Sequence, residues 1–303
     1  METISDEQRG DDLIPPKKTG AIELLLKANP KHPIAEKYLA ELKIYQSKFE
    51  EKINSLPKKP KIELPELKPI DVESFYNLFK DAFKFYNGKE FDESANNFES
   101  RKLARTLMAY FIRKKSFLRS PLLNFKSEPD LNKGIMLIGG YGVGKSSIID
   151  TFNKILNNSI ANNILVDDIN GNKQLIYRYK LGFKSFTANE VKRYYKLIRQ
   201  DSKSDEDYYL HKFFRRHENG VNYYDDLMTE EIIKDFGENV NIFKNILEER
   251  YSKKQRTLIS INYVGDSVDS TLDAYGLKYG DRLYDRAFEM YNIIELKGDS
   301  LRK

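Results

Sequence analysis

Gly139-Gly140-Tyr141-Gly142-Val143-Gly144-Lys145-Ser146 follows the apolar run Ile135 to Ile138 and leads into Lys145 to Ile155, whose apolar residues recur at helical spacing. The octapeptide satisfies G-x-x-x-x-G-K-[ST] at every fixed position, and its place between a strand and a helix turns a pattern into a site. Glycines let the backbone curl until successive amides point at phosphate oxygens. The helix that follows, opening through Ser147, offers its free amides and positive dipole end to the same anion. Lys145 would reach the β- and γ-phosphates of a nucleotide, and the Ser146 hydroxyl would ligate Mg2+, a hard cation that favours oxygen.

Hydrolysis needs more: a carboxylate to help hold the metal and a group to orient the attacking water. Tyr223-Tyr224-Asp225-Asp226 supplies two acids where a strand should end, with Asp225 on the metal side and Asp226 as the base that polarises water. The strand before them, Val221 to Tyr224, is less apolar than a buried central strand usually is, so a solvated turn competes with this assignment. Thr257-Leu-Ile-Ser-Ile-Asn262 ends a further strand in an amide that can donate to a phosphate or to the lytic water. Asp281-Arg282-Leu-Tyr-Asp285-Arg286 places two arginines four apart on one helical face. They read either as an intrachain ion-pair helix or as guanidinium that neutralises the transferred phosphoryl group in a neighbouring subunit.

Downstream of Lys133, helical and strand-like segments alternate, which predicts an α/β fold with a parallel sheet and crossover helices. Strands are expected within Leu175 to Phe186 and at Val221 to Tyr224, Thr257 to Ile261 and Tyr291 to Leu296. Thr187-Ala-Asn-Glu190 has capping-box spacing, so a helix should begin at Thr187. Upstream, residues 1–18 read as a disordered tail. Residues 19–70 read as a helical region with a Pro-rich linker, four of the ten prolines falling between Pro57 and Pro69. Ala35, Tyr38, Leu42, Tyr45, Phe49 and Leu56 recur at helical intervals, in a helix that packs on its own chain or docks a partner. Phe75 to Tyr86 suggests another helix, and Leu103 to Phe117 a third.

GGYGVGKSS (139–147), FTANEVKRYY (186–195), YYDDLMTEE (223–231), ILEERY (246–251), LISIN (258–262), YGDRLYDRAFEM (279–290) and GDSLR (298–302), in that order, resemble the AAA+ ATPases of the DnaC-like helicase loader and IstB-like transposition-helper group. The resemblance covers roughly Phe75 to Lys303. It implies an AAA+ ATPase domain over 71–303, a sheet of order 5-1-4-3-2 flanked by helices, no C-terminal lid domain, and a partner-binding N-terminal extension. It gives Asn262 the sensor 1 role and makes Arg286, supported by Arg282, the arginine finger. Arg302 becomes a sensor 2-like residue beside the P-loop residues Gly139 to Ser147. It implies ATP with Mg2+, single-stranded DNA, an ATP-dependent homo-oligomer, and a replicative helicase or else a transposase as partner. Asp226 is shorter than the glutamate many AAA+ ATPases carry there, which keeps a DNA-binding switch with little hydrolysis as an alternative.

Composition limits the rivals. The 303 residues contain no cysteine and three histidines, His32, His211 and His217, expected at the surface. Disulfide, thiolate and zinc chemistry are thereby set aside. No run approaches the roughly 20 apolar residues of a membrane span, and no signal sequence opens the chain, so a cytoplasmic protein is expected. The net charge of +5 is unevenly placed. From Arg101 to Gly134, nine basic residues face two acids, and from Arg178 to Arg199 seven face one. Tyr177, Tyr179, Phe183, Phe186, Tyr194 and Tyr195 interleave with the second block, a composition suited to phosphate attraction and base stacking, though alternation should put half of them in the core. A solvated charged surface is the competing reading.

Overall fold

The computed structural model describes residues 16–55, 66–157, 163–201, 205–235 and 238–302. Most of the expected N-terminal tail and of the Pro-rich stretch lies outside them. The chain divides into two compact units, Met1–Pro65 and Glu66–Lys303. In the first, α1 (Gly20–Ala28) packs on α2 (Pro33–Ser55), which opens on proline, a residue suited to the first helical turn where no amide partner is needed. Ala35 and Tyr38 are buried, whereas Ile34, Leu39, Ile44 and Phe49 of α2 are exposed.

The second unit runs α3 (Val72–Asn87), α4 (Glu99–Phe111), β1 (Leu123–Asn124), β2 (Gly134–Gly139), α5 (Lys145–Leu156), β3 (Leu165–Asp167), β4 (Lys173–Leu175), β5 (Lys184–Thr187), α6 (Ala188–Asp201), α7 (Glu206–Glu218), β6 (Asn222–Leu227), β7 (Ile233–Asp235), β8 (Glu238–Val240), α8 (Ile242–Ser252), β9 (Thr257–Asn262), α9 (Val268–Tyr279), α10 (Asp281–Met290) and β10 (Tyr291–Leu296). The main sheet has the order β1-β10-β2-β9-β6-β5. Its five parallel strands, counted along the chain, therefore lie 5-1-4-3-2. The two-residue β1 is an addition that pairs antiparallel with β10 and covers that edge.

Strand alternation divides the core. Ile135 and Leu137 of β2 face α3, α4 and α5, where Phe79, Phe83, Phe91, Phe111 and Phe152 pack together; Met136 and Ile138 face the cluster built with α6 to α10. β6 succeeds as an inner strand despite its polarity. Tyr223 and Tyr224 are fully buried, and Asn222 Nδ2 donates to the His217 carbonyl at 2.8 Å and to the Tyr224 hydroxyl at 3.1 Å.

Two expectations need correction, and a third, the strands within Leu175 to Phe186, holds with shifted bounds. The helix expected over Leu103 to Phe117 ends at Phe111: Arg113 takes a φ of +56°, and Lys115–Arg119 form a separate 3-10 turn. His217 lies in the core between Phe186 and Phe213, and burial, followed by the charges of Arg216, Arg250 and Lys184, pushes its imidazole down to about 3. Leu175 to Phe186 holds only the end of β4 and most of β5, joined by a 3-10 turn at Ile176–Tyr179. The capping box is present: the Glu190 amide donates to Thr187 Oγ1 at 3.2 Å, and the Thr187 amide donates to Glu190 Oε2 at 2.9 Å. Among the described residues no helix is long and apolar enough to cross a membrane.

Candidate functional site

The P-loop turns at the C-terminal edge of β2, between Gly139 and Lys145. Gly142 and Gly144 have φ of +73° and +98°, the left-handed region that only glycine enters at little cost, and a Cβ on Gly142 would meet Ser300 Oγ at 2.2 Å. Lys145 opens α5 yet is only 4% exposed, because its side chain folds back under the loop. Its Nζ donates to Gly139 O at 2.8 Å, Gly140 O at 2.7 Å and Asn262 Oδ1 at 2.8 Å. Burial pulls this ammonium down to about 8, against the opposing charges of Asp226 and Asp225 and with a small push from Arg302.

Successive residues of a regular strand face opposite ways, so two adjacent acids would not both reach one site. β6 resolves this with an irregularity: its register on β9 shifts between Tyr224 and Leu227, and Asp226 takes a φ of +52°. Asp225 then meets α5 while Asp226 meets the end of β9. Asp225 Oδ1 accepts from Ser146 Oγ at 2.9 Å, from the Tyr223 hydroxyl at 2.5 Å, and from Ser260 Oγ. Asp226 Oδ1 accepts from Asn262 Nδ2 at 3.0 Å, and the Asp226 amide donates to Ser260 Oγ at 3.0 Å. Asn262 thus links Lys145 to Asp226. Ser146 and Asp225 form an all-oxygen donor pair of the kind Mg2+ takes.

These groups open on a cavity of about 620 Å³ lined by the loop from Tyr141 to Ser147, by Asp226 and Asn262, and by Arg302. One of its walls carries no recognisable sequence signal, and another is the GDSLR segment read from the sequence. Phe83, Phe91, Ala95 and Ser100, from α3, α4 and the segment joining them, form one side. The last described residues form the other: the Leu301 amide donates to Gly142 O at 2.9 Å, and Asn96 exchanges two hydrogen bonds with Asp299, at 3.1 and 3.0 Å, which lays Arg302 at the rim. Asp150, one turn along α5 from Ser146, is half-buried, and desolvation followed by Asp225 raises its carboxyl.

Neither arginine of α10 lines the cavity. Arg282 is exposed, and the Arg286 guanidinium sits 4.2 Å from the ring centroid of Tyr251, whose hydroxyl donates to Glu289 Oε2 at 2.7 Å. The aromatic set in the second basic block is mostly internal. Phe183 and Tyr195 are buried, Phe186 packs against His217 and Tyr224, and Tyr177 and Tyr179 are half-buried, Tyr179 donating to Lys68 O at 2.8 Å. Tyr194 alone of the six is exposed. Tyr208 and Tyr209 of α7, which the block count missed, are exposed as well.

No protein-family model matches the sequence, and no curated protein matches it. The crystal structure of the DnaC helicase loader matches with a TM-score of 0.43 and 19% identity, over 73% of this chain and 99% of that one. The crystal structure of DnaI matches with a TM-score of 0.36 and 18% identity, over 66% of this chain and 85% of that one.

Proposed function

We propose that the chain is a Mg2+-dependent ATPase of helicase-loader type that acts in DNA replication, binds single-stranded DNA and delivers a replicative helicase. The observation that carries the ATPase reading is the convergence of Lys145, Ser146, Asp226 and Asn262 on one cavity at the C-terminal edge of the sheet, with Asp225 hydrogen-bonded to Ser146 behind it. On nucleotide binding, Lys145 Nζ exchanges its carbonyl acceptors for β- and γ-phosphate oxygens and neutralises charge there. Ser146 and Asp225 would hold Mg2+, which would supply charge neutralisation at the phosphates. Asp226 orients and polarises the attacking water, and Asn262 fixes Asp226 relative to Lys145. The loader reading draws on the motif order and on the exposed apolar residues of α2, which suit a protein partner. The exposed Tyr194 and the basic residues of α6 support a nucleic-acid face.

Arg286 completes the site of a neighbouring copy, so turnover depends on an ATP-linked homo-oligomer. Its contact with Tyr251 in one chain is then a parked position. The test is steady-state phosphate release by Arg286→Ala, which should bind ATP as the wild type does yet hydrolyse it at least about 100-fold more slowly. Mixing it with Lys145→Ala should restore part of the activity, because the second variant donates an intact arginine to the first. Wild-type turnover by Arg286→Ala overturns the trans assignment. A DNA-binding switch is the second reading, favoured by the short Asp226 held at positive φ, and negligible phosphate release with and without single-stranded DNA would select it. A transposase rather than a helicase co-purifying with the chain would select the transposition-helper role.

A further inference from the structure

We infer that Tyr223 and Ser260 are positioning residues that set the affinity of the site for its divalent cation, by saturating one oxygen of Asp225 and presenting the other. The inference rests on the reading of Asp225 as the metal-side acid.

Both residues are polar groups where the fold asks for apolar ones. Tyr223 is 0% exposed in the middle of the cluster facing α5, with its ring edge-on to Phe183, a place a phenylalanine would fill equally well. Burying a phenol hydroxyl is unfavourable unless it is hydrogen-bonded, and the hydroxyl of Tyr223 has its partner in Asp225 Oδ1 at 2.5 Å. Ser260 is likewise 0% exposed, within the otherwise apolar run from Leu258 to Ile261, and its Oγ makes two bonds. It donates to Asp225 Oδ1 and accepts from the Asp226 amide at 3.0 Å.

Three hydroxyls therefore converge on Oδ1, while Oδ2 accepts nothing among the described residues. Ser146 can keep donating to Oδ1 while a lone pair of its own oxygen ligates the cation. Tyr223 and Ser260 come from the interior of β6 and β9, have nowhere else to turn, and remain. They fix the carboxylate rotamer and compensate the charge of a half-buried acid, so that Oδ2 is left without a protein donor among the described residues before any cation arrives. Ser260 does a second thing. By tying the Asp226 amide at its positive φ, it couples the metal-side acid to the water-side acid.

The two roles separate in one experiment, a Mg2+ titration of a fluorescent ATP analogue bound to the full chain. Tyr223→Phe should leave analogue affinity in EDTA unchanged and raise the Mg2+ midpoint about tenfold, the low end of what losing an outer partner of a metal ligand does. Ser260→Ala should raise the midpoint similarly and, at saturating Mg2+, also lower kcat, which Tyr223→Phe should not. Ser260→Thr, which keeps the hydroxyl, should restore both. A Tyr223→Phe midpoint equal to wild type, with Asp225→Ala abolishing the Mg2+ response, overturns the inference and leaves the site as read. If Asp225→Ala also leaves the response intact, the metal-side assignment itself fails. A general packing defect would weaken binding in EDTA too, and that result also counts against the inference.

Discussion

Two buried cations stand at opposite ends of the same sheet. Lys145 lies at the C-terminal edge of β2, and Arg250, 0% exposed at the end of α8, lies by the N-terminal edge of β9. Both are surrounded mainly by neutral oxygens, and burial lowers the pKa of each. The difference is in the partners. Arg250 donates from Nε to Thr257 Oγ1 at 2.7 Å, from Nη1 to His217 O at 2.7 Å, and from Nη2 to Gly220 O at 2.9 Å and Arg256 O at 2.6 Å. Those acceptors belong to the end of α7, the turn into β6 and the entry to β9. One planar fork stitches three segments, pairing the Gly220 and Arg256 carbonyls and adding to the bonds that His217 O accepts from Asn222 and Tyr224. Lys145 is a flexible ammonium held by a loop that opens on a cavity, and its acceptors can be exchanged. A buried charge held by fixed backbone stabilises the fold. A buried charge beside a cavity keeps acceptors that a ligand could replace.

Replacing each cation by methionine is the sharpest way to break this contrast. Lys145→Met should lose at least about 100-fold in ATP affinity, because the buried ammonium that the loop holds at the cavity is gone, while its urea midpoint stays level or rises. Arg250→Met should do the reverse, losing about 3 kcal/mol of stability as carbonyls are left unpaired, with analogue affinity of the folded protein unchanged within about twofold. Equal destabilisation by the two variants would erase the distinction.

The Lys145 half was legible in the sequence and the Arg250 half was not, for a physical reason. A P-loop is local: strand, glycines, lysine and helix start lie within about a dozen residues, each restricted by backbone geometry. Asp225, Asp226 and Asn262 were recoverable because strand ends at the sheet's C-terminal edge are where polar side chains converge. Arg250 appears within ILEERY as one more charged helical residue, and only the approach of α7 and β9 explains it. The same holds for Tyr223 and Ser260, whose meeting on Asp225 depends on the register of β6 against β9 and on the irregularity that turns Asp226. Alternation put half of the six aromatics in the core without saying which, and could not tell that α7 would cover Phe186 and bury His217. The wall made by Asn96 and the segment from Asp299 to Arg302 joins residues more than 200 positions apart, beyond any local pattern.

The smallest effect expected is also the most specific to Lys145. Its ammonium titrates near 8 in the folded chain against an ordinary value of 10.5, so between those pH values the native state has released a proton that the unfolded state still holds. Stability should therefore rise with pH across that window, and below about 8, where both states are protonated, this contribution should be flat. Lys145→Met should lose the rise, whereas Arg250→Met should keep it at lower overall stability. Nucleotide reverses the shift, because phosphate oxygens favour the charged lysine. Binding at pH 8 should then take up roughly half a proton, read by calorimetry in buffers of differing ionisation enthalpy. Proton release, or none, would mean that Lys145 does not move from its carbonyls to the phosphates.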